Sequence, residues 1–135
     1  MHSQNLVCLD VGEKRIGVAL ADAGVRIAVP FETIEVNGEE LETIVRIMQQ
    51  QETDTVVVGF PRNQQGNTTA QSVYVEQFSE KLNELGYTVV FQDESLTSVI
   101  AEDRLKESGK PYAKGDIDRH AAAIILQDYL ELQRG

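Results

Sequence analysis

The order and periodicity of the apolar residues predict an α/β molecule of three layers, with one five-stranded mixed sheet whose first three strands are antiparallel. Two observations carry this prediction. Three strand-length apolar runs follow one another with only short Gly- or charge-containing turns between them, as antiparallel neighbours do. The chain then alternates helical-period segments with short, continuously apolar strands, and crossovers of that kind make parallel pairs.

Residues 4–11, QNLVCLDV, form a strand carrying a single acid; residues 16–21, IGVALA, form a second; residues 25–36 form a third, in which Pro30 marks a bulge or an unpaired edge position. Leu41, Ile44, Val45 and Met48 then recur at helical spacing, and Glu39, Glu40 and Glu42 lie in the first turn, where the helix dipole favours acids. The strand TVVVG (55–59) has the composition of one buried on both faces. After the loop FPRNQQGNTT, a helix over 70–85 sets Val73, Phe78, Leu82 and Leu85 on one side, with Gly86 placed to end it. YTVVF (87–91) is the fifth strand. A helix over 98–107, the loop SGKPYAKGD and a last helix to about residue 132 complete the chain, which reads as a single domain over 1–135 without repeats or linkers.

Composition narrows the class. The chain has 135 residues, 41% apolar and 25% charged, and no apolar stretch approaches the roughly 20 residues that span a bilayer. Its one cysteine, Cys8, has no internal partner, which fits a reducing compartment, so a cytoplasmic location is expected. The net charge of −10 argues mildly against tight nonspecific grip on nucleic acid, which depends on phosphate neutralisation. Local basic clusters exist at Lys14, Arg15 and Arg26 and at Lys110, Lys114 and Arg119. Bound divalent cations would offset acidity where phosphate approaches.

Three groups of acids carry the candidate chemistry. Asp10 sits in a strand otherwise made of Leu6, Val7, Cys8, Leu9 and Val11, where a charge is costly unless paired. It is either hydrogen-bonded to the following turn or a metal ligand or general base. Asp93 and Glu94 follow the fifth strand, and functional groups of α/β sheets collect beyond the carboxyl ends of parallel strands. If strands one and five point the same way, Asp10 and Glu94 face each other. Asp116 and Asp118 open the last helix. Asp116 is explained as an N-cap or dipole partner. The run Ala121-Ala122-Ala123 lets that helix approach the sheet closely and carry Asp118 toward the other acids. Carboxylates converging this way bind hard divalent cations through oxygen, and two ions about 3.5–4 Å apart can activate water and stabilise the leaving oxygen of a phosphodiester. No Cys/His cluster suggests zinc. His2 lies near a terminus, and a lone helical His120 is more often structural or solvated.

Four segments, LDVGEKRIGVALAD (9–22), VVGFPRNQQG (57–66), DESLTSVIAE (93–102) and KGDIDRHAAAIILQDYL (114–130), resemble the YqgF-type family over essentially the whole chain. That family is described both as Holliday junction resolvases and as nucleases maturing the 5′ end of the 16S ribosomal RNA precursor. The resemblance implies a ribonuclease H-like fold and hydrolysis of phosphodiesters with a divalent cation, Mg²⁺ or Mn²⁺. It places the acidic positions on Asp10, Glu94 and Asp118, as catalytic residues and metal ligands. Lys14 and Arg15 match the basic pair that contacts phosphate, and Asn63 and Gly66 match a loop that approaches substrate. Four positions depart from the pattern: Ser95 replaces the usual Arg and Ser98 the final Thr of Asp-Glu-Arg-Leu-(Ser/Thr)-Thr, Gln65 replaces Asp, and Ala21 replaces Ser. Loss of the Arg removes a bidentate phosphate contact or an ion-pair partner.

The expected function is therefore a metal-dependent nuclease acting on the ribosomal RNA precursor, with the ribosome or its assembly factors as partners. Alternatives are a resolvase acting on branched, four-way DNA and a non-catalytic RNA-binding assembly factor. The element D-x-G-x-x-x-x-G-V also resembles the first phosphate loop of actin-like ATPases, but those need two such domains around the nucleotide. Whether the chain is a monomer or a homodimer stays open at this point; symmetric junction cutting calls for the dimer.

Overall fold

The computed structural model describes residues 5–22, 24–61, 69–94 and 97–132. Strands β1 (Asn5–Val11), β2 (Arg15–Asp22) and β3 (Ile27–Glu35) pair antiparallel in succession. They are followed by α1 (Glu40–Gln50), β4 (Thr55–Pro61), α2 (Ala70–Glu84), β5 (Thr88–Glu94), α3 (Thr97–Ser108) and α4 (Lys114–Leu132). The sheet order is β3-β2-β1-β4-β5, with β4 parallel to both β1 and β5. This is the mixed sheet expected from the sequence, and it leaves β1 central with β1, β4 and β5 ending on the same side.

Local chemistry explains the joints. The β1–β2 turn closes with Gly12 N–H donating to the Arg15 carbonyl at 3.0 Å, and a Cβ at Gly12 would lie only 2.7 Å from that oxygen. Pro30 pairs with Ala19 where the β2–β3 register shifts, and the residue skipped in the ladder is Phe31, so the bulge falls beside the residue that lacks an N–H. Thr69 and Ser72 form a reciprocal capping box at the start of α2. Its other end is a Schellman turn: Gly86 has φ +99°, Tyr87 N–H reaches the Leu82 carbonyl and Gly86 N–H that of Asn83.

Strand alternation builds two cores. Val7, Leu9, Val11, Ile16, Val18, Val56 and Val58 face α1 and α2, meeting Ile44, Ile47, Met48, Val75, Phe78 and Leu82. Cys8, Ala19, Ala21 and Val57 face the opposite way, against Ala122, Ile125, Leu126 and Leu130 of α4, and α3 packs on α4. Burying a side chain such as Leu9 or Ile125 contributes about 1.5–3 kcal/mol each.

Several expected boundaries and faces change. Val73 and Leu85 are exposed rather than core-facing, because the helical period running back from Leu82 passes through Phe78 and Val75. Ile47 joins the buried face of α1. β4 and β5 continue past their apolar runs to Pro61 and Glu94, since parallel pairing of Phe60 with Asp93 and Pro61 with Glu94 extends the ladder into polar sequence. Glu94 thus ends its strand instead of following it. Asp116 is not the N-cap of α4; it lies in the first turn and its Oδ2 accepts a hydrogen bond from Ala113 N–H at 2.8 Å.

Candidate active site

Asp10 is the penultimate residue of β1, and alternation from Cys8 turns it toward α4. Its neighbours on either side are glycines. Gly17 is its cross-strand partner on β2. Gly59 of β4 lies one residue beyond Val58, the partner of Leu9. Both positions are filled from above: a Cβ at Gly17 would fall 2.0 Å from the Asp118 carbonyl oxygen, and one at Gly59 would fall 2.9 Å from Glu94 Oε2 and 2.6 Å from Ile125 Cδ1. The two glycines therefore admit the backbone of α4 at Asp118 and the Glu94 carboxylate to the positions flanking Asp10.

The electrostatics follow from that crowding. Burial pushes the Asp10 carboxyl well above the ordinary range, and the charges of Glu94 and then Asp118 push it further. Glu94 is raised chiefly by burial too, partly offset by hydrogen bonds from Thr97 and Asp10. The Asp10 and Glu94 carboxyl groups stand within hydrogen-bonding reach of each other, and one proton shared between them relieves their repulsion. Thr97, 5% exposed at the start of α3, donates from Oγ1 to Glu94 Oε2 at 3.2 Å and fixes that side chain.

Asp118 is placed differently. Its Oδ2 accepts a hydrogen bond from Arg15 Nε at 2.6 Å in an ion pair whose side chains are 29% (Arg15) and 21% (Asp118) exposed. Among the described residues, no three His, Cys, Asp or Glu side chains gather closely enough to hold one metal ion. The donor set nonetheless suits a hard cation: Asp10 and Glu94 offer only oxygen, their ionised forms repel each other, and a bound cation would favour the loss of a proton from the pair.

The basic residues separate into three uses. Lys14 is exposed and, with Gly12, Glu13, Arg15, Gln71 and Asp118, lines an open polar cavity of about 360 Å³. Arg119 is committed to Asp116 and Thr33, and Arg26 to the Leu130 carbonyl. His120 is half-buried, its Nδ1 has no hydrogen-bond partner, and desolvation followed by the Arg119 charge lowers its pKa. Asn63, Gly66, Gln65 and Ser95 lie outside the described residues.

Sequence reasoning missed Gly17, Gly59, Thr97 and Gln71, whose Nε2 donates to the Val11 carbonyl at 2.9 Å and ties α2 to the end of β1. Gly17 and Gly59 carried a usable signal: an isolated glycine in an apolar strand marks a close approach.

No described helix is long and apolar enough to cross a membrane. The fold is that of ribonuclease H-like resolvases. The chain superposes on Thermus thermophilus RuvC in complex with a Holliday junction substrate with a TM-score of 0.57 at 13% identity, covering 98% of this chain and 96% of that one. The Fowlpox virus resolvase bound to Holliday junction DNA gives 0.54 at 15% identity, covering 98% and 100%. In sequence, a protein of Chloroflexus aurantiacus named "Putative pre-16S rRNA nuclease" is 44% identical over 139 residues, covering 99% of this chain and 91% of that protein. A protein of the same name from Caldanaerobacter subterraneus is 42% identical over 133 residues, covering 93% and 95%. A family model described as Holliday junction resolvase, RuvX, matches residues 4–132. The chain belongs to the RuvX family, the YqgF-type family of its sequence resemblance, and is a nuclease of the hydrolase class.

Proposed function

We propose that this nuclease is a single ribonuclease H-like domain over 1–135 that uses a divalent cation, Mg²⁺ or Mn²⁺, to hydrolyse phosphodiesters in the 5′-end maturation of the 16S ribosomal RNA precursor. The observation that carries the reading is the Asp10–Glu94 carboxylate pair at the shared end of β1 and β5, with Asp118 beside it on α4. The names of the close relatives supply the substrate class.

Each residue has a role in this reading. Asp10 and Glu94 hold the metal and Asp118 completes its ligands. The cation, when bound, lowers the pKa of water and stabilises charge on the phosphodiester oxygens. Thr97 keeps Glu94 oriented. Lys14, exposed in the lining of the polar cavity, takes the phosphate backbone together with Arg15, and the family resemblance adds Asn63 and Gly66 as further substrate contacts. The buried free thiol of Cys8 suits the cytoplasm, where the ribosome and its assembly factors are the expected partners.

A second reading, resolution of four-way DNA, is favoured by the family description and by the fold shared with junction-bound resolvases. Cleavage of labelled 16S precursor RNA and of a synthetic four-way junction, at equal concentration in Mn²⁺, separates the two. Faster cutting of the RNA near the mature 5′ end supports maturation. Paired symmetric cuts in the junction, with the RNA intact, replace it with the second reading.

A further inference from the structure

The Arg15–Asp118 ion pair lies between two open cavities and lines both. One, of about 360 Å³, is shared with Gly12, Glu13, Lys14 and Gln71; the other, of about 390 Å³, with Val99, Glu102, Lys114 and Ile117. Each cavity carries a lysine, so a phosphate backbone following the positive charge from Lys14 to Lys114 passes over the pair. While Arg15 Nε holds Oδ2 at 2.6 Å, that oxygen is unavailable to a cation at Asp10 and Glu94. The backbone of Asp118 already sits against Gly17, the strand partner of Asp10, so a change of side-chain rotamer is the movement that release asks of its carboxylate.

We infer that Arg15 is a latch on Asp118: in the free protein it withholds the third carboxylate, and a substrate phosphate draws Arg15 away and releases Asp118 to the metal. The inference rests on the reading of Asp10, Glu94 and Asp118 as metal ligands. The pair is open to solvent on both sides, so the contact is weak enough to exchange. Phosphate is a strong competitor for a guanidinium because it accepts two parallel hydrogen bonds. Arg15 thus acts on the metal through Asp118 and is a positioning residue, and binding of nucleic acid and of metal become mutually reinforcing.

A double-mutant cycle over Arg15→Gln and Asp118→Asn tests this by calorimetric titration with Mn²⁺ alone. A parallel arm measures binding of a labelled RNA oligonucleotide in EDTA, where nothing is cut. Freed Asp118 makes Arg15→Gln bind Mn²⁺ about two- to fivefold more tightly than wild type, the equilibrium equivalent of an exposed ion pair. The gain disappears when Asp118 is already Asn. Freed Arg15 makes Asp118→Asn bind RNA more tightly by a similar factor, and that gain disappears when Arg15 is already Gln. Equal gains in both backgrounds overturn the latch, since they show bare charge removal. No gain, or weaker Mn²⁺ binding in Arg15→Gln, overturns it too. Asp10→Asn is the control for the underlying reading: Mn²⁺ affinity unchanged by that substitution removes the metal site itself, and the latch with it.

Discussion

Asp10 stands where burial and two neighbouring acids oppose its ionisation, so a negative charge there is tolerated best beside a cation. Replacing it with Asn removes the repulsion without changing the shape. Asp10→Asn is therefore expected to abolish cleavage while raising the metal-free melting temperature near neutral pH; a gain of about 1 kcal/mol corresponds to roughly 3–5 °C for a chain of this size. Adding Mn²⁺ raises the melting temperature of wild type and leaves the variant unmoved, which differential scanning fluorimetry reads directly. Thr97→Val deletes the hydroxyl that favours ionised Glu94. Loss of such a supporting contact costs on the order of tenfold in metal affinity, measurable by Mn²⁺ titration. Lys14→Ala, at an exposed position, should weaken nucleic-acid binding and reduce the slope of log affinity against log salt by about 1, with folding unchanged.

At the scale of elements, the site depends on how closely α4 lies on β2. The sequence suggested that Ala121–Ala123 permit the approach. Ala121 and Ala122 are indeed fully buried, yet the tightest contact is made by Gly17, where any side chain would strike the Asp118 backbone. Gly17→Ala is predicted to push α4 outward, destabilise the protein by about 2–4 kcal/mol and lose activity; urea unfolding and a cleavage assay check both halves. The candidate acids at 10, 94 and 118 stand out in the sequence because Asp10 interrupts an apolar strand, Glu94 follows an apolar run and Asp118 lies at the start of the last helix. Their partners were not. The Arg15–Asp118 bond joins residues 103 apart, and the Thr97–Glu94 bond depends on where α3 starts after β5; neither is a local property of the chain. The face of α2 was misassigned for a related reason: Val73 and Leu85 have the right composition, and only the phase of the helix against β4 and β5 decides which residues are covered.

Across the whole molecule, element order was legible because each strand is either an alternating or a continuous apolar run, and topology then follows from connection lengths. The ends of β4 and β5 were not, because pairing carries both strands into polar residues. One consequence is global. The folded Asp10 and Glu94 carboxyls have pKa values raised above their unfolded ones, so the native state holds more protons in that window than the unfolded state. The contribution of these two carboxyls to metal-free stability is then largest below the ordinary carboxylate range and is lost as pH rises through the raised values. Melting curves in EDTA across acid to neutral pH should show this decline, and a saturating divalent cation should cancel it. The net charge of −10 adds self-repulsion in the same direction, and its share is the part that salt screens and Asp10→Asn leaves largely in place.

In the proposed function, metal-dependent cleavage depends on Asp10 together with Glu94. The most direct measurement is cleavage of labelled 16S precursor RNA by wild type and Asp10→Asn, with Mn²⁺ or with EDTA. Wild type is expected to cut in Mn²⁺ and not in EDTA, and the variant under neither condition. Equal cutting by the variant would remove Asp10 from the chemistry, and cutting by wild type that persists in EDTA would remove the metal.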